Sequence, residues 1–231
     1  MRQQTLQLGH TWARLTPWRG GGGAGQLVVG TESPVTAAGL LECCEQARRS
    51  GYRALFTSAV SPSESTPFVA AGFAVHENLH LLRADLHDAP PRPQLTLRRA
   101  GRRDRPSVLD LDACSFDDFW RLGPIGLHDA LAATPVARFR VGDGTDGPVA
   151  YAITGYAGPH GYLQRVAVHP HARHQGWGRA LVADALRWLW NHRVRRVYVN
   201  TQVHNAAAVA LYESSGFVME PAGLCVLGRE L

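Results

Sequence analysis

The sequence predicts an α/β fold, a mixed and mostly antiparallel sheet flanked by helices. Three observations predict it. Short apolar runs of strand length recur along the whole chain. Between them lie amphipathic stretches of helical spacing, clearest over 178–193, where Leu181, Ala185 and Leu189 return on one face. From 137 to 168, three strand-like runs are joined by GDGTDG and GPHG, which are short and glycine-rich enough for antiparallel hairpins.

Taken in order, Thr5–Leu15 alternates polar and apolar residues and predicts a strand. GGGGAG (20–25) is a turn or loop, and Gln26–Val29 a short strand. Ser33-Pro34 supplies an N-cap and a helix-initiating proline, for a helix that runs to about Ser50 and stops at Gly51. Ala54–Val60 is a strand, Pro67–Ala71 a short helix, and Val75–Leu86 another strand. DAPPRP (88–93) resists helix and sheet, so a domain boundary is placed there, dividing 1–92 from 93–231. Gln94–Arg98 is a strand, and Arg105–Trp120 and Ile125–Ala133 are helices around a loop. Strands follow at 137–141, 149–156 and 162–168, then a helix over 178–193, a strand at 196–201, a helix over 205–214 and a last strand at 224–231.

The segment from helix to Gly-Phe occurs twice, over 35–73 and 180–217. Phe73 and Phe217 are 144 residues apart, and at the same offset Thr57 matches Thr201 and Gly72 matches Gly216. This pattern predicts a duplicated unit whose first copy has lost parts.

Composition bounds the function. At 231 residues, 45% hydrophobic and 19% charged, the chain is of ordinary globular make-up and long enough for a sizeable core. No apolar run has the length of a membrane helix, and the first residues lack the apolar stretch of a secretory signal; the expectation is a cytoplasmic protein. Cys43, Cys44, Cys114 and Cys225 form no C-x-x-C pair and are expected as reduced thiols. The net charge of +5 comes from arginine with no lysine. A basic surface suits nucleic acid or a polyanionic cofactor, and charge alone does not choose.

The chemistry lies in LQRVAVHPHARHQGWGRALVADALRWL, residues 163–189. A strand ends in His169-Pro170, and Arg173 to Gly178 reads R-x-x-G-x-G before a helix. A helix start leaves its first N–H groups unpaired and adds partial positive charge. Glycines let a phosphate approach the backbone, and Arg173 and Arg179 add formal charge. The loop is neither a Walker loop nor the dinucleotide fingerprint, whose spacings it lacks. His169, His171 and His174 lie in it without a supporting cysteine or carboxylate cluster, so no metal site is expected.

The run resembles the GNAT superfamily of N-acetyltransferases. The signature [QR]-x-x-G-x-[GA] after a V-A-V strand stands here as Val166, Ala167, Val168 and Arg173–Gly178. The signature N-x-x-A-x-x-L-Y-x-x-x-G-F stands as Asn205, Ala208, Leu211, Tyr212, Gly216 and Phe217. The element order from Gln94 to Leu231 matches the complete family fold, with a degenerate GNAT-like half-copy before it. Within the superfamily, NAAAVALYESSGF is most similar to the ribosomal-protein N-terminal acetyltransferases.

The resemblance implies acetyl-CoA (coenzyme A) as cofactor and direct attack of a neutral amine on its thioester. Backbone N–H groups at Val166, Ala167 and Val168 would meet the pantetheine or the acyl carbonyl. The amides of Arg173, His174, Gln175, Gly176, Trp177, Gly178 and Arg179 would hold the pyrophosphate, and Asn205 the cofactor arm. Tyr212 would protonate the leaving thiolate while also contacting the cofactor. Phe116, Asp117, Phe119 and Trp120 would line the acceptor pocket. The resemblance also leads us to expect a carboxylate base where this chain has Asn200 or Gln164, both amides. His204, Asp117 and Asp118 are fallback bases; a water relay or an α-amine acceptor would also serve.

The leading expectation is an acetyl-CoA-dependent N-acetyltransferase acting on a primary amine, as monomer or homodimer. A second is a non-catalytic acyl-CoA-binding sensor, which suits the missing carboxylate. A nucleic-acid module is supported by charge alone and is not expected. The first copy reads VVGTESPVTAAG where a phosphate loop would stand, and Glu32 there would repel phosphate; no cofactor is expected in it.

Overall fold

The computed structural model describes residues 4–8, 11–19, 23–30 and 35–231. The strands are β1 (Gln4–Leu8), β2 (Thr11–Pro17), β3 (Ala24–Val29), β4 (Ala54–Thr57), β5 (Ala74–Asp85), β6 (Arg98–Arg99), β7 (Val136–Asp143), β8 (Pro148–Ala157), β9 (His160–Val168), β10 (Arg196–Gln202), β11 (Val218–Met219) and β12 (Leu224–Glu230). The helices are α1 (Ala37–Arg49), α2 (Thr66–Ala70), α3 (Arg105–Ser115), α4 (Pro124–Ala132), α5 (Trp177–Asn191) and α6 (Ala206–Glu213). Among the described residues no helix is long and apolar enough to cross a membrane. The chain divides into two compact units, one of residues 1–80 with 221–231 and the other of residues 81–220.

In the first unit the strand order is β1, β2, β3, β4, β12 and the first part of β5. The β3–β4 pair is parallel and the other neighbours are antiparallel. The expected strand over 5–15 is a hairpin of two strands, β1 and β2. Leu15, Leu27, Leu40, Leu55 and Leu227 form the heart of its core, each worth about 1.5–3 kcal/mol of burial. Ser33-Pro34 lies outside the described residues. The cap seen on α1 is Thr36, whose hydroxyl accepts the Gly39 N–H at 3.2 Å.

In the second unit the order is the last part of β5, then β10, β9, β8, β7 and β6, with β11 beside β5. Strands β7, β8 and β9 form an antiparallel meander, and β9 and β10 run parallel. Helix α5 covers one face, packing Val182, Leu186 and Leu189 on Leu163, Val197 and Val199. Helices α3 and α4 cover the other, where Val108, Leu111 and Leu127 meet Val141, Tyr151, Ile153 and Ala167.

Two expected elements are shorter than their patterns suggest. The strand over 94–98 reduces to Arg98–Arg99, because Leu95 and Leu97 pack with Trp177 and Leu181. The helix over 105–120 stops at Ser115, where Phe116 turns extended at φ −128°. The Asp117 carboxylate then accepts the Trp120 N–H at 3.0 Å and closes a local turn that competes with the helix.

The repeated pattern has a structural counterpart in each unit. Gly72 and Gly216 both take left-handed backbone, at φ 80° and 89°, which spares a side chain strain as each short helix ends. Phe68 rests its ring 5.7 Å from Phe73, and Tyr212 rests its ring 5.7 Å from Phe217.

Candidate active site

The site begins where β9 ends. A single 3-10 turn at Pro170–Ala172 leads into a loop in which His174 and Gly176 adopt left-handed backbone, at φ 61° and 89°. The first helical bond of α5 runs from the Ala180 N–H to the Gly176 carbonyl at 2.9 Å. No N–H from His174 through Arg179 has an acceptor among the described residues. Free donors in a row at a helix start, next to left-handed residues, are an arrangement suited to an anion. The Gln175 side chain braces the loop by donating to the His171 carbonyl at 3.0 Å. Arg173 and Arg179 are exposed beside it. Trp177 turns its ring inward among Leu95, Leu97 and Leu181, so it offers the site its N–H and not its indole.

Beside this loop the sheet opens. Strands β9 and β10 pair only over His160–Tyr162 and Arg196–Tyr198, although β9 continues to Val168 and β10 to Gln202. His169 donates its N–H to the Val149 carbonyl, toward β8. By the two-residue period of a strand, the N–H groups of Val166 and Val168 point the other way, into the gap. Ala167 is buried in the core beneath α3. A bulge lies one step below: Arg165 faces Ile153 and Leu163 faces Thr154, which leaves Gln164 without a partner. Its amide nitrogen donates to the Thr134 hydroxyl at 3.0 Å.

Helix α6 carries two of the expected site residues, Asn205 and Tyr212. Asn205 caps it, its side-chain oxygen accepting the Ala208 N–H at 3.1 Å, which leaves its amide nitrogen unused. Tyr212 is 6% exposed, and its hydroxyl makes no hydrogen bond among the described residues. Burial pushes its phenol up to about 12, with the charge of Arg165 pulling partly against that. The phenol is therefore protonated at neutral pH and able to donate. Gly178 on α5 faces Leu211 so closely that an added Cβ would stand 3.1 Å from a Leu211 methyl, so the two helices meet tightly here.

The loop after α3 is tied to β9 by a buried polar cluster. Asp112 is fully buried, and its carboxylate accepts Arg165 Nε at 2.8 Å, Arg165 Nη2 at 2.9 Å, the Leu122 N–H at 2.7 Å and the Tyr151 hydroxyl. Arg165 also donates to the Trp120 carbonyl at 2.8 Å and lies 3.4 Å from the Phe116 ring centroid. Phe119 meets Trp120 edge-on at 5.2 Å. Asp117 is exposed with its carboxylate on the Trp120 N–H, and Asp118 pairs with Arg121. Asp112, Tyr151 and Arg165 escape a motif search. The one hint in the sequence is an arginine at an inward position of β9, between Leu163 and Ala167, and its partner Asp112 lies 53 residues away.

Of the other positions considered for a base, Asn200 is exposed on β10 and His204 is exposed before α6. Gln164 is half-buried.

The family model described as Acetyltransferase (GNAT) family matches residues 106–217. The ribosomal protein bS18-alanine N-acetyltransferase of Escherichia coli (strain K12) is 40% identical over 68 residues, 29% of this chain and 46% of that protein. The chain thus spans about half the length of the curated relatives it matches. Among solved structures, a tandem GNAT protein from the clavulanic acid biosynthesis pathway superposes with a TM-score of 0.67 at 17% identity, over 95% of this chain and 78% of that one. A GCN5-related N-acetyltransferase from Kribbella flavida gives 0.66 at 16%, over 98% and 89%. At these identities the likeness is one of fold, and the tandem architecture fits the repeated pattern of this sequence. The stretch 106–217 thus matches an acetyltransferase domain of the GNAT family, and the fold is one that solved GNAT proteins share.

Proposed function

We propose that this protein transfers an acetyl group from acetyl-CoA to a primary amine by direct attack. The observation that carries the reading is the row of unpaired N–H groups from His174 to Arg179 beside a gap in the sheet. Those donors suit a pyrophosphate, and Arg173 and Arg179 add charge. When bound, acetyl-CoA supplies an acyl thioester. The N–H groups of Val166 and Val168 then orient the acyl carbonyl and stabilise charge developing on its oxygen. Asn205 offers its amide nitrogen to the cofactor arm. Tyr212 would give its proton to the sulfur as the C–S bond breaks, and the proton that the nitrogen sheds on forming the C–N bond would return to it through water. Phe116, Phe119, Trp120 and Asp117 line the approach of the amine.

The acceptor must arrive neutral, because the positions where a base was expected hold Gln164 and Asn200. An α-amine, with a pKa near 8, loses its proton more readily than a lysine side chain. A protein N-terminus is therefore the favoured acceptor class, in keeping with the named activity of the E. coli relative. The amide at those two positions also favours a second reading, a non-catalytic acyl-CoA sensor. The first unit is taken to be a degenerate copy without cofactor. It has Phe68 where the second has Tyr212, and β3 and β4 stay paired through Leu27 and Thr57. Cytoplasmic placement and a monomer or homodimer complete the reading.

Calorimetric titration with acetyl-CoA, followed by thiol release against peptide N-termini and small amines, tests it. Binding with acceptor-dependent release is expected. Binding without release from any acceptor would transfer the case to the sensor, and no binding would end both.

A further inference from the structure

The polar cluster beneath the loop after α3 is more elaborate than packing requires. A fully buried carboxylate is matched by a guanidinium that is 8% exposed, through two parallel bonds. Every remaining contact of the pair goes to one of two places. On the sheet, the Tyr151 hydroxyl donates to Asp112. On the loop, Leu122 donates its N–H to Asp112, the Trp120 carbonyl accepts from Arg165, and the Phe116 ring lies over the guanidinium. Two points of one short loop are thus fixed to a single side chain of β9, and a third to the α3 carboxylate that holds that side chain. That side chain sits next to Gln164 in the bulge and one residue before Val166, whose N–H faces the gap. Its charge also reaches Tyr212.

We propose that Arg165, oriented by Asp112 and Tyr151, is a positioning residue that sets the acceptor wall of the site in register with the gap between β9 and β10. The inference rests on the transferase reading and deepens it. Arginine suits the task because its planar fork meets the carboxylate with two bonds and still has a donor for Trp120, while its face takes an aromatic ring. Lysine keeps the charge and loses that geometry. Because Asp112 balances the charge, the wall can stand close to an incoming ammonium or amine without repelling it.

The test compares the full-length wild type with Arg165→Lys and with the paired variant Asp112→Leu/Arg165→Met. The paired variant leaves no unmatched buried charge and so guards against simple failure to fold. Amide hydrogen exchange at Trp120, Arg121 and Leu122 should quicken by about tenfold or more, while β8 and β9 stay protected. With an Ala-terminated tetrapeptide amide as probe, its KM should rise by about tenfold or more, as for a misplaced acceptor. The Kd for acetyl-CoA, which the loop after α3 is not proposed to touch, should move by less than about twofold. Exchange that quickens equally over the whole sheet, or a KM that stays put while the loop loosens, would overturn the proposal. A wild type that binds acetyl-CoA and transfers nothing would sink the transferase reading and the kinetic half of the proposal. The exchange result would still decide whether the clamp exists.

Discussion

Phe68 and Tyr212 occupy matching places, 144 residues apart, in the two units of this chain. Each lies on a short helix that ends in a glycine of positive φ, and each rests 5.7 Å from the phenylalanine that follows that glycine. Only Tyr212 carries a hydroxyl. The packing role of the ring is thus common to both copies, and the phenol is what sets the second apart. Replacing Tyr212 by Phe should leave the fold and acetyl-CoA affinity close to wild type. It should lower kcat by about 10²–10⁴-fold, the range for loss of a general acid. Single-turnover kinetics at saturating acetyl-CoA would measure this, and an unchanged kcat would return Tyr212 to a packing role.

The pH response follows from the same residue. Burial holds the Tyr212 phenol up near 12, and Tyr151 is raised by burial as well. For a group whose folded pKa is raised, the stabilising contribution is complete below the unfolded value of about 10 and is lost as pH rises through the folded one. Denaturation midpoints should therefore fall from about pH 10 upward. Activity should rise with pH as the acceptor amine loses its proton, with no decline below about pH 10 from ionisation of the phenol. A decline near neutrality would point to a different acid.

The Asp112–Arg165 pair yields a stability prediction. Asp112→Asn leaves the buried guanidinium without its counter-charge and should cost about 3–5 kcal/mol. The paired variant Asp112→Leu/Arg165→Met should cost less than the sum of its single changes, because it removes both charges together. Denaturant unfolding of the wild type, Asp112→Asn, Asp112→Leu, Arg165→Met and the paired variant checks this.

Much of the fold was legible because its signals are local. The repeat of Leu181, Ala185 and Leu189 marked α5, glycine-rich hairpins marked the meander, and two family signatures located Arg173–Gly178 and Asn205–Phe217. What was hidden depends on partners distant in sequence. Asp112 looks like a surface acid until α3 is laid on β9, where Arg165 meets it. The early end of α3 required knowing that Phe116 would lie against that guanidinium. The bulge at Gln164 leaves no mark in an alternating strand. Pairing of β9 with β10 for only three residues is a property of the two strands together and of neither sequence alone.

Gly176 offers a test of the loop itself. At φ 89° it sits where a Cβ brings strain of about 1–2 kcal/mol. Gly176→Ala should be modestly destabilised, and relaxation of the loop should turn donors away from the proposed anion site. Acetyl-CoA affinity is expected to fall by more than the loss in stability alone would cause. Gly216→Ala carries the same φ away from the loop and should lose stability without that extra loss of affinity. Equal losses of affinity in the two variants would count against the loop as the phosphate seat.

The most direct measurement is amide hydrogen exchange of the whole chain with and without acetyl-CoA. The account predicts slowed exchange at Val166, Val168 and His174–Arg179, with protection extending to the start of α6 at Asn205, and no change over 30–38. Protection confined to 30–38, or an exchange pattern that acetyl-CoA leaves untouched, would contradict it.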